Sequence, residues 1–270
     1  MPGYDYLYLG DNARAPYGTR SFERVYEFTL QAVHKLFDLG CPLVILACNT
    51  ASAKALRSIQ QHDLPRMADP SRRVLGVIRP TVEAVGDITR TRHVGIVATQ
   101  GTVASRTYEL EMAKLHPDIT VTAQACPMWV SLVENREYDQ PGADYFVRRD
   151  IGTLLARDPA IDTIILGCTH FPLLYNKVRA YTPAHVRIIP QGDYVARSLV
   201  DYLRRHPEMD CRLSRTANPD SATPSVPQSS TSQPAAHGTI RFLTTERPDA
   251  FSPLATLFLG HNVVAEQITL

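Results

Sequence analysis

The chain alternates short apolar runs with longer stretches in which apolar residues recur every three to four positions. Runs of strand length occur at residues 4–9, 43–47, 74–78, 94–98, 119–123, 163–166 and 186–189. The run at 43–47 is too continuously apolar to have a wet face, as expected in a parallel sheet. Helical periods follow at 21–39, from 50 onward, and at 81–85, 105–115, 145–157 and 194–205. In the first of these, Ser21 caps a face made by Phe22, Tyr26, Phe28, Leu30, Val33, Leu36 and Phe37. Pro80 is expected to end the run at 74–78, so the helix there should open at Thr81. Strand–helix alternation of this kind predicts an α/β fold with mainly parallel sheets and helices on both faces. It runs twice, which predicts two similar α/β domains with the active site in the cleft between them. Residues 1–88 and 186–270 would form the first domain and residues 89–185 the second. Residues 211–237 break the pattern, because Ser, Thr, Pro and Ala dominate there and predict a disordered insert. Beyond it a strand is expected at 239–244, a short helix at 253–259 and a last strand at 263–268.

Two of the strand ends are near copies of each other. Pro-Leu-Val-Ile-Leu-Ala-Cys-Asn-Thr (residues 42–50) and Thr-Ile-Ile-Leu-Gly-Cys-Thr-His (residues 163–170) each pass from an apolar run through a small residue to a cysteine and two polar residues. Ligands of open α/β sheets bind beyond the carboxyl ends of the strands, where both Cys48 and Cys168 fall. A helix starting after each cysteine would favour thiolate and lower the thiol pKa. Asn49 and Thr50 stand beside the first thiol, Thr169 and His170 beside the second. A third turn, Thr-Gln-Gly-Thr-Val-Ala-Ser (residues 99–105), offers backbone N–H groups suited to a carboxylate or phosphate. Buried core thiols are the plainer reading of any single cysteine; the repeated context argues against it here.

Composition narrows the chemistry. With 270 residues, 44% hydrophobic and 20% charged, the sequence is that of an ordinary soluble globular protein. A net charge of +1 gives no argument for nucleic acid or for an acidic membrane surface. No apolar run approaches the roughly 20 residues that span a bilayer, and the first residues lack the pattern of a signal peptide. Cys41, Cys48, Cys126, Cys168 and Cys211 are odd in number and widely spaced, so a disulfide framework is not expected and a reduced, cytoplasmic setting is. No Cys-x-x-Cys pair occurs, which argues against structural zinc and thioredoxin-like exchange. A thiol hydrolase built on Cys168 and His170 would leave Cys48 without a task. Two thiols on opposite sides of a cleft suit two-base proton transfer at carbon, one removing a proton and the other returning one from the opposite face.

Five stretches carry a family resemblance. They are Tyr-Leu-Gly-Asp-Asn-Ala-Arg-Ala-Pro-Tyr-Gly (8–18), Leu-Ala-Cys-Asn-Thr-Ala-Ser-Ala (46–53), Val-Ala-Thr-Gln-Gly-Thr (97–102), Ala-Cys-Pro-Met-Trp-Val-Ser-Leu-Val-Glu (125–134) and Leu-Gly-Cys-Thr-His-Phe-Pro-Leu-Leu (166–174). In this order they resemble the cofactor-independent glutamate racemases of the aspartate/glutamate racemase superfamily. The resemblance implies a cytoplasmic enzyme, commonly a homodimer, that interconverts L- and D-glutamate for peptidoglycan with no cofactor and no metal. It implies Cys48 and Cys168 as the acid/base thiols, the first serving the D- and the second the L-enantiomer, with His170 and Glu134 assisting the second. Asn49, Thr50, Thr99, Thr102 and Thr169 would hold the α-carboxylate and amine. Pro16, Tyr17 and Gly18 would take the side-chain carboxylate. A related substrate such as aspartate, or a glutamate-binding protein with impaired turnover, are the alternatives. One departure stands out. The family opens with a strand ending in Asp-Ser-Gly inside the sheet, whereas here Met1 lies directly ahead of the Tyr-Leu-Gly-Asp strand. A start recorded too late is the expected explanation; a chain truly this short should fail on the Cys48 side.

Overall fold

The computed structural model describes Met1 and residues 3–213 and 238–270, so most of the insert expected at 211–237 lies outside the described residues. In chain order, β1 (Tyr6–Gly10) leads through a loop to α1 (Phe22–Asp38), whose cap Ser21 accepts the Arg24 N–H. Then come β2 (Leu43–Leu46), α2 (Asn49–Lys54), α3 (Leu56–Ser58), β3 (Arg73–Gly76) and α4 (Ile78–Val85). The middle of the chain supplies β4 (His93–Ala98), α5 (Gln100–Ser105), α6 (Thr107–Leu115), β5 (Thr120–Ala125), α7 (Trp129–Glu134), α8 (Pro141–Arg157), β6 (Thr163–Gly167), α9 (Tyr175–Ala180) and β7 (Arg187–Ile189). After these come α10 (Gly192–Arg205), α11 (Pro207–Asp210), β8 (Ile240–Thr244), α12 (Pro248–Leu259) and β9 (Ala265–Gln267).

Every strand pairing among the described residues is parallel, as the apolar runs imply. The four-stranded sheet has the order β5-β4-β6-β7. Its central strands send alternate residues to opposite faces. Val97, Ile164 and Leu166 pack with Trp129, Val147 and Leu154 of α7 and α8. Ile96, Ala98 and Ile165 pack with Tyr108 and Met112 of α6 and with Ile78 and Val82 of α4. All five residues of β6 are buried, which places Cys168 at the end of a strand held from both sides.

The rest of the fold is less closed. β1, β8 and β9 form one sheet, and β2 pairs with β3 in another. α1 touches both β1 and β2, yet these successive strands belong to different sheets. Among the described residues, the edge of β1 away from β8 and the edge of β2 away from β3 therefore carry no strand partner. Tyr6 and Tyr8 of β1 are 39% and 44% exposed.

Three local expectations change. α4 begins at Ile78 and takes Pro80 into its first turn, where proline has no intrahelical N–H bond to lose. The turn at 99–105 is itself helical as α5, and a break at Arg106, with φ 54°, separates it from α6. α12 starts at Pro248 and carries Pro253 inside it.

Candidate active site

Cys48 occupies the N-cap position of α2, directly after β2. Burial pushes its thiol up; N–H groups of Ala51 and Thr50 pull the other way, and a charge on Cys168 adds to the rise. The expected lowering by the helix N-terminus is thus present but overcome by desolvation. Tyr8 of β1 packs on Phe242 and Phe251; burial raises its phenol first, and Cys48 and Glu134 then both add to the rise.

Cys168 is 7% exposed, and its turn leads into a short 3-10 segment (Phe171–Leu174) rather than directly into an α-helix. Its Sγ lies 3.7 Å from His170 Nδ1, and His170 Nε2 lies 2.5 Å from Glu134 Oε1. Burial works against a charge on His170, but the bonds to Cys168 and Glu134 outweigh it and carry the imidazole from 6.5 to about 9. Glu134 ends α7, and Trp129 at the start of that helix packs on Phe171 with ring centroids 4.7 Å apart. This ring contact ties the start of α7 to the segment that follows the cysteine turn. Phe258 of α12 meets the His170 ring edge-on at 5.9 Å. Thr169 is exposed.

Between these turns three buried hydroxyls meet. Thr50 Oγ1 lies 2.9 Å from Thr99 Oγ1 and 3.2 Å from Thr102 Oγ1, and the last two are 3.0 Å apart. Thr99 also caps α5 by accepting the Thr102 N–H. The loop at 11–20 docks on this cap: the Gly101 N–H donates to the Gly18 carbonyl at 2.8 Å, and a Cβ on Gly18 would stand 2.8 Å from Thr99 Cβ. Glycine is required there by close approach. Pro16 is exposed after a cis peptide bond. The Tyr17 hydroxyl donates to Asp11, which also accepts from Arg14 and Thr245, so this phenol is already engaged within the loop.

Asn49 is 2% exposed and tied into a ring. Its Nδ2 donates to Gln191 Oε1 at 2.7 Å, its Oδ1 accepts from the Tyr108 hydroxyl at 2.7 Å, and Gln191 Nε2 donates to Tyr108 at 2.7 Å. The structure therefore brings Cys48, Asn49, Thr50, Thr99 and Thr102 together with the Tyr17–Gly18 loop, and Cys168 with His170 and Glu134. Tyr8, Tyr108 and Gln191 were not singled out from the sequence. Gln191 follows the strand at 186–189, and its place at a strand's carboxyl end was the available signal. Among the described residues no group of three or more His, Cys, Asp or Glu side chains is arranged to hold a metal ion. An open groove of about 480 Å³ between β3 and α10 contains none of these residues.

A model of the Asp/Glu/hydantoin racemase family matches residues 1–199. The chain belongs to that family. Glutamate racemase from Ruegeria sp. (strain TM1040) is 43% identical over 219 residues, covering 77% of this chain and 79% of the relative. The racemase fold also recurs among solved structures. The crystal structure of glutamate racemase isoform RacE1 from Bacillus anthracis superposes with a TM-score of 0.82 at 30% identity, covering 98% of this chain and 88% of the other. Glutamate racemase from Francisella tularensis, solved with D-glutamate, gives 0.79 at 26% identity over 98% and 88%. Within this racemase frame, no helix among the described residues is long and apolar enough to cross a membrane.

Proposed function

We propose that this racemase interconverts L- and D-glutamate by passing the α-proton between Cys168 and Cys48. The observation that carries the reading is the placement of the two thiols, each at the carboxyl end of a parallel strand from a different sheet, with the Thr50–Thr99–Thr102 hydroxyls joining the Cys48 turn to a turn of the sheet that carries Cys168. An imidazolium at His170 supplies positive charge beside Cys168 Sγ, so Cys168 takes the proton from L-glutamate as a thiolate. Cys48, pushed up by burial, waits as a thiol and delivers its proton to the opposite face of the carbanion. The return reaction runs the same steps backward. The planar intermediate needs a desolvated, preorganised surround. Thr50, Thr99 and Thr102, with the N–H groups of the α2 and α5 starts, suit the α-carboxylate. Asn49 and Thr169 suit the carboxylate and amine, and the Pro16–Gly18 loop suits the side-chain carboxylate. Residues 1–88 with 186–270, and residues 89–185, are the two lobes that would close on the substrate. Supply of D-glutamate to peptidoglycan, a cytoplasmic setting and a homodimer belong to the same proposal.

The test is exchange of the α-hydrogen with solvent deuterium, for each enantiomer, with no cofactor added. Exchange from both is expected in the native chain, with loss in Cys48→Ala and Cys168→Ala. Exchange that persists at the native rate in the double variant would overturn the two-thiol mechanism. Faster exchange of aspartate than of glutamate would overturn the substrate assignment.

A further inference from the structure

We propose that Gln191 is a positioning residue, which fixes the amide of Asn49 and thereby the Cys48 turn against the sheet that carries Cys168. The inference rests on the two-thiol reading of the site. Gln191 sits between β7 and α10, where the chain leaves the four-stranded sheet. From there its side chain reaches three other elements: Asn49 at the start of α2, Thr81 in α4 and Tyr108 in α6.

The direction of these bonds is set by one proton. Thr81 Oγ1 donates to the Val77 carbonyl at 3.0 Å, so towards Gln191 it acts as an acceptor, 2.9 Å from Nε2. The Gln191 amide nitrogen must therefore face Thr81 and Tyr108, and its oxygen must face Asn49. Given that, Asn49 must turn Nδ2 to Gln191 and Oδ1 to Tyr108, whose single proton then goes to Asn49. Each group in the ring both donates and accepts, and reversing any one leaves two like atoms opposed. Asn49, Thr81 and Tyr108 are almost wholly buried, at 2%, 0% and 2% exposure, so a reversed amide has no water to rescue it. Asn49 is thus held in one of its two amide orientations by groups outside the Cys48 turn. One of its two N–H bonds is spent on Gln191, which fixes where the other points.

The ring also joins parts that move apart if the lobes open. Tyr108 packs in one apolar cluster with Ile96 of β4 and Ile165 of β6, in the lobe at 89–185, whereas Asn49 follows β2 and Thr81 lies in α4. Gln191 is the shared partner at the crossover between them. Loss of its amide frees both the orientation of Asn49 and the register between the two cysteine turns.

The experiment is a double-mutant cycle on the intact chain, using Gln191→Met, Asn49→Ala and the pair. Methionine keeps length and removes both hydrogen-bonding atoms. Steady-state kcat/KM with each enantiomer, and thermal unfolding, are read for all forms. Gln191→Met is expected to lower kcat/KM on the order of tenfold to a hundredfold, and to cost nothing further when Asn49 is already alanine. A merely structural role would lower the melting temperature and multiply with Asn49→Ala, and that result overturns the proposal, as does native kcat/KM in Gln191→Met. Should the methionine variant fold poorly, Tyr108→Phe breaks the same ring at its other member and must show the same non-additivity with Asn49→Ala. Cys48→Ala is measured alongside. Native turnover in that variant defeats the two-thiol reading itself, whereas an inactive Cys48→Ala with an additive cycle defeats only the role given to Gln191.

Discussion

Replacing Glu134 by glutamine leaves an acceptor for His170 Nε2 and removes one negative charge, so it isolates the electrostatic part of the Cys168 turn. His170 stands at about 9 instead of 6.5: burial opposes the charge, and Cys168 and Glu134 together outweigh it. The Glu134 carboxylate is 37% exposed and the His170 ring 24%, so solvent screens their pairing in part. A charge-assisted bond of this kind is worth about 1–2 kcal/mol, and about 1.4 kcal/mol corresponds to one pH unit. Glu134→Gln should therefore bring His170 down by about one unit, to near 8. The active form carries an imidazolium, which is lost as pH rises through the His170 pKa. The alkaline limb of kcat/KM should then move to lower pH by about one unit, with a smaller change at neutrality, where both forms remain largely protonated. Circular dichroism of glutamate between about pH 6 and 10 follows the reaction in either direction. The enantiomers are equal in free energy, so kcat/KM must have the same profile both ways, and any asymmetry between Cys48 and Cys168 can appear only in kcat. An alkaline limb that stays in place in Glu134→Gln would refute the role of the ion pair. Stability gives a second reading. Because the folded His170 pKa is raised, its contribution is complete below about 6.5 and is lost as pH rises through about 9. Urea unfolding should show that loss in the native protein and a weaker one in the variant.

Thr102→Val leaves the Thr50 and Thr99 hydroxyls short of one buried partner and should cost about 1–3 kcal/mol by denaturant unfolding, together with a raised KM. Gly18→Ala would force a methyl to within 2.8 Å of Thr99 Cβ and lift the loop from α5; a stability loss of about 1–3 kcal/mol and weaker glutamate binding by calorimetry are expected. Asp162 is held down to about 2, because hydrogen bonds from Thr89, Thr91, Arg90 and Thr163 outweigh its burial. Its contribution is present above its ordinary value of 3.8 and lost as pH falls through about 2. Asp162→Asn should lower stability by roughly 1–2 kcal/mol at neutral pH and flatten the acid limb of the unfolding curve.

The parts of the site that lie next to one another in sequence were legible. An apolar run, a small residue and a cysteine announce two strand ends, which give both thiols, Asn49 and Thr50, and the hydroxyl-rich turn after a third run gives Thr99 and Thr102. Helix starts were less so: Pro80 reads as a stop, yet the first turn of α4 accommodates it. Pairing was not legible at all, since β1 lies on β8 with Tyr6 opposite Ile240, across a sequence separation that periodicity cannot bridge. Nor does any local pattern mark Tyr108, and Gln191 carries only its place beyond a strand's carboxyl end, because the significance of both comes from buried partners in α2 and α4.

The two cysteine turns, alike in sequence, are held by different physics. Cys168 ends a strand flanked by β4 and β7, and its charge is managed by side chains, His170 and Glu134, that an ion pair and the Trp129–Phe171 contact keep in line. Cys48 ends a strand that has a single partner among the described residues, and Ala47 before it is exposed. A sheet cannot hold that thiol with the same rigidity. Polar bonds do it instead: Ser52 Oγ donates to the Leu46 carbonyl and accepts the Val77 N–H, tying β2 to the start of α4, and Gln191 pins Asn49 from the other side. Such bonds are directional, whereas apolar packing is not, so they can fix an orientation that a two-stranded sheet leaves free. Substitutions in the core beneath Cys168 should consequently act on stability first, and substitutions in the polar bonds around Cys48 should act on turnover first.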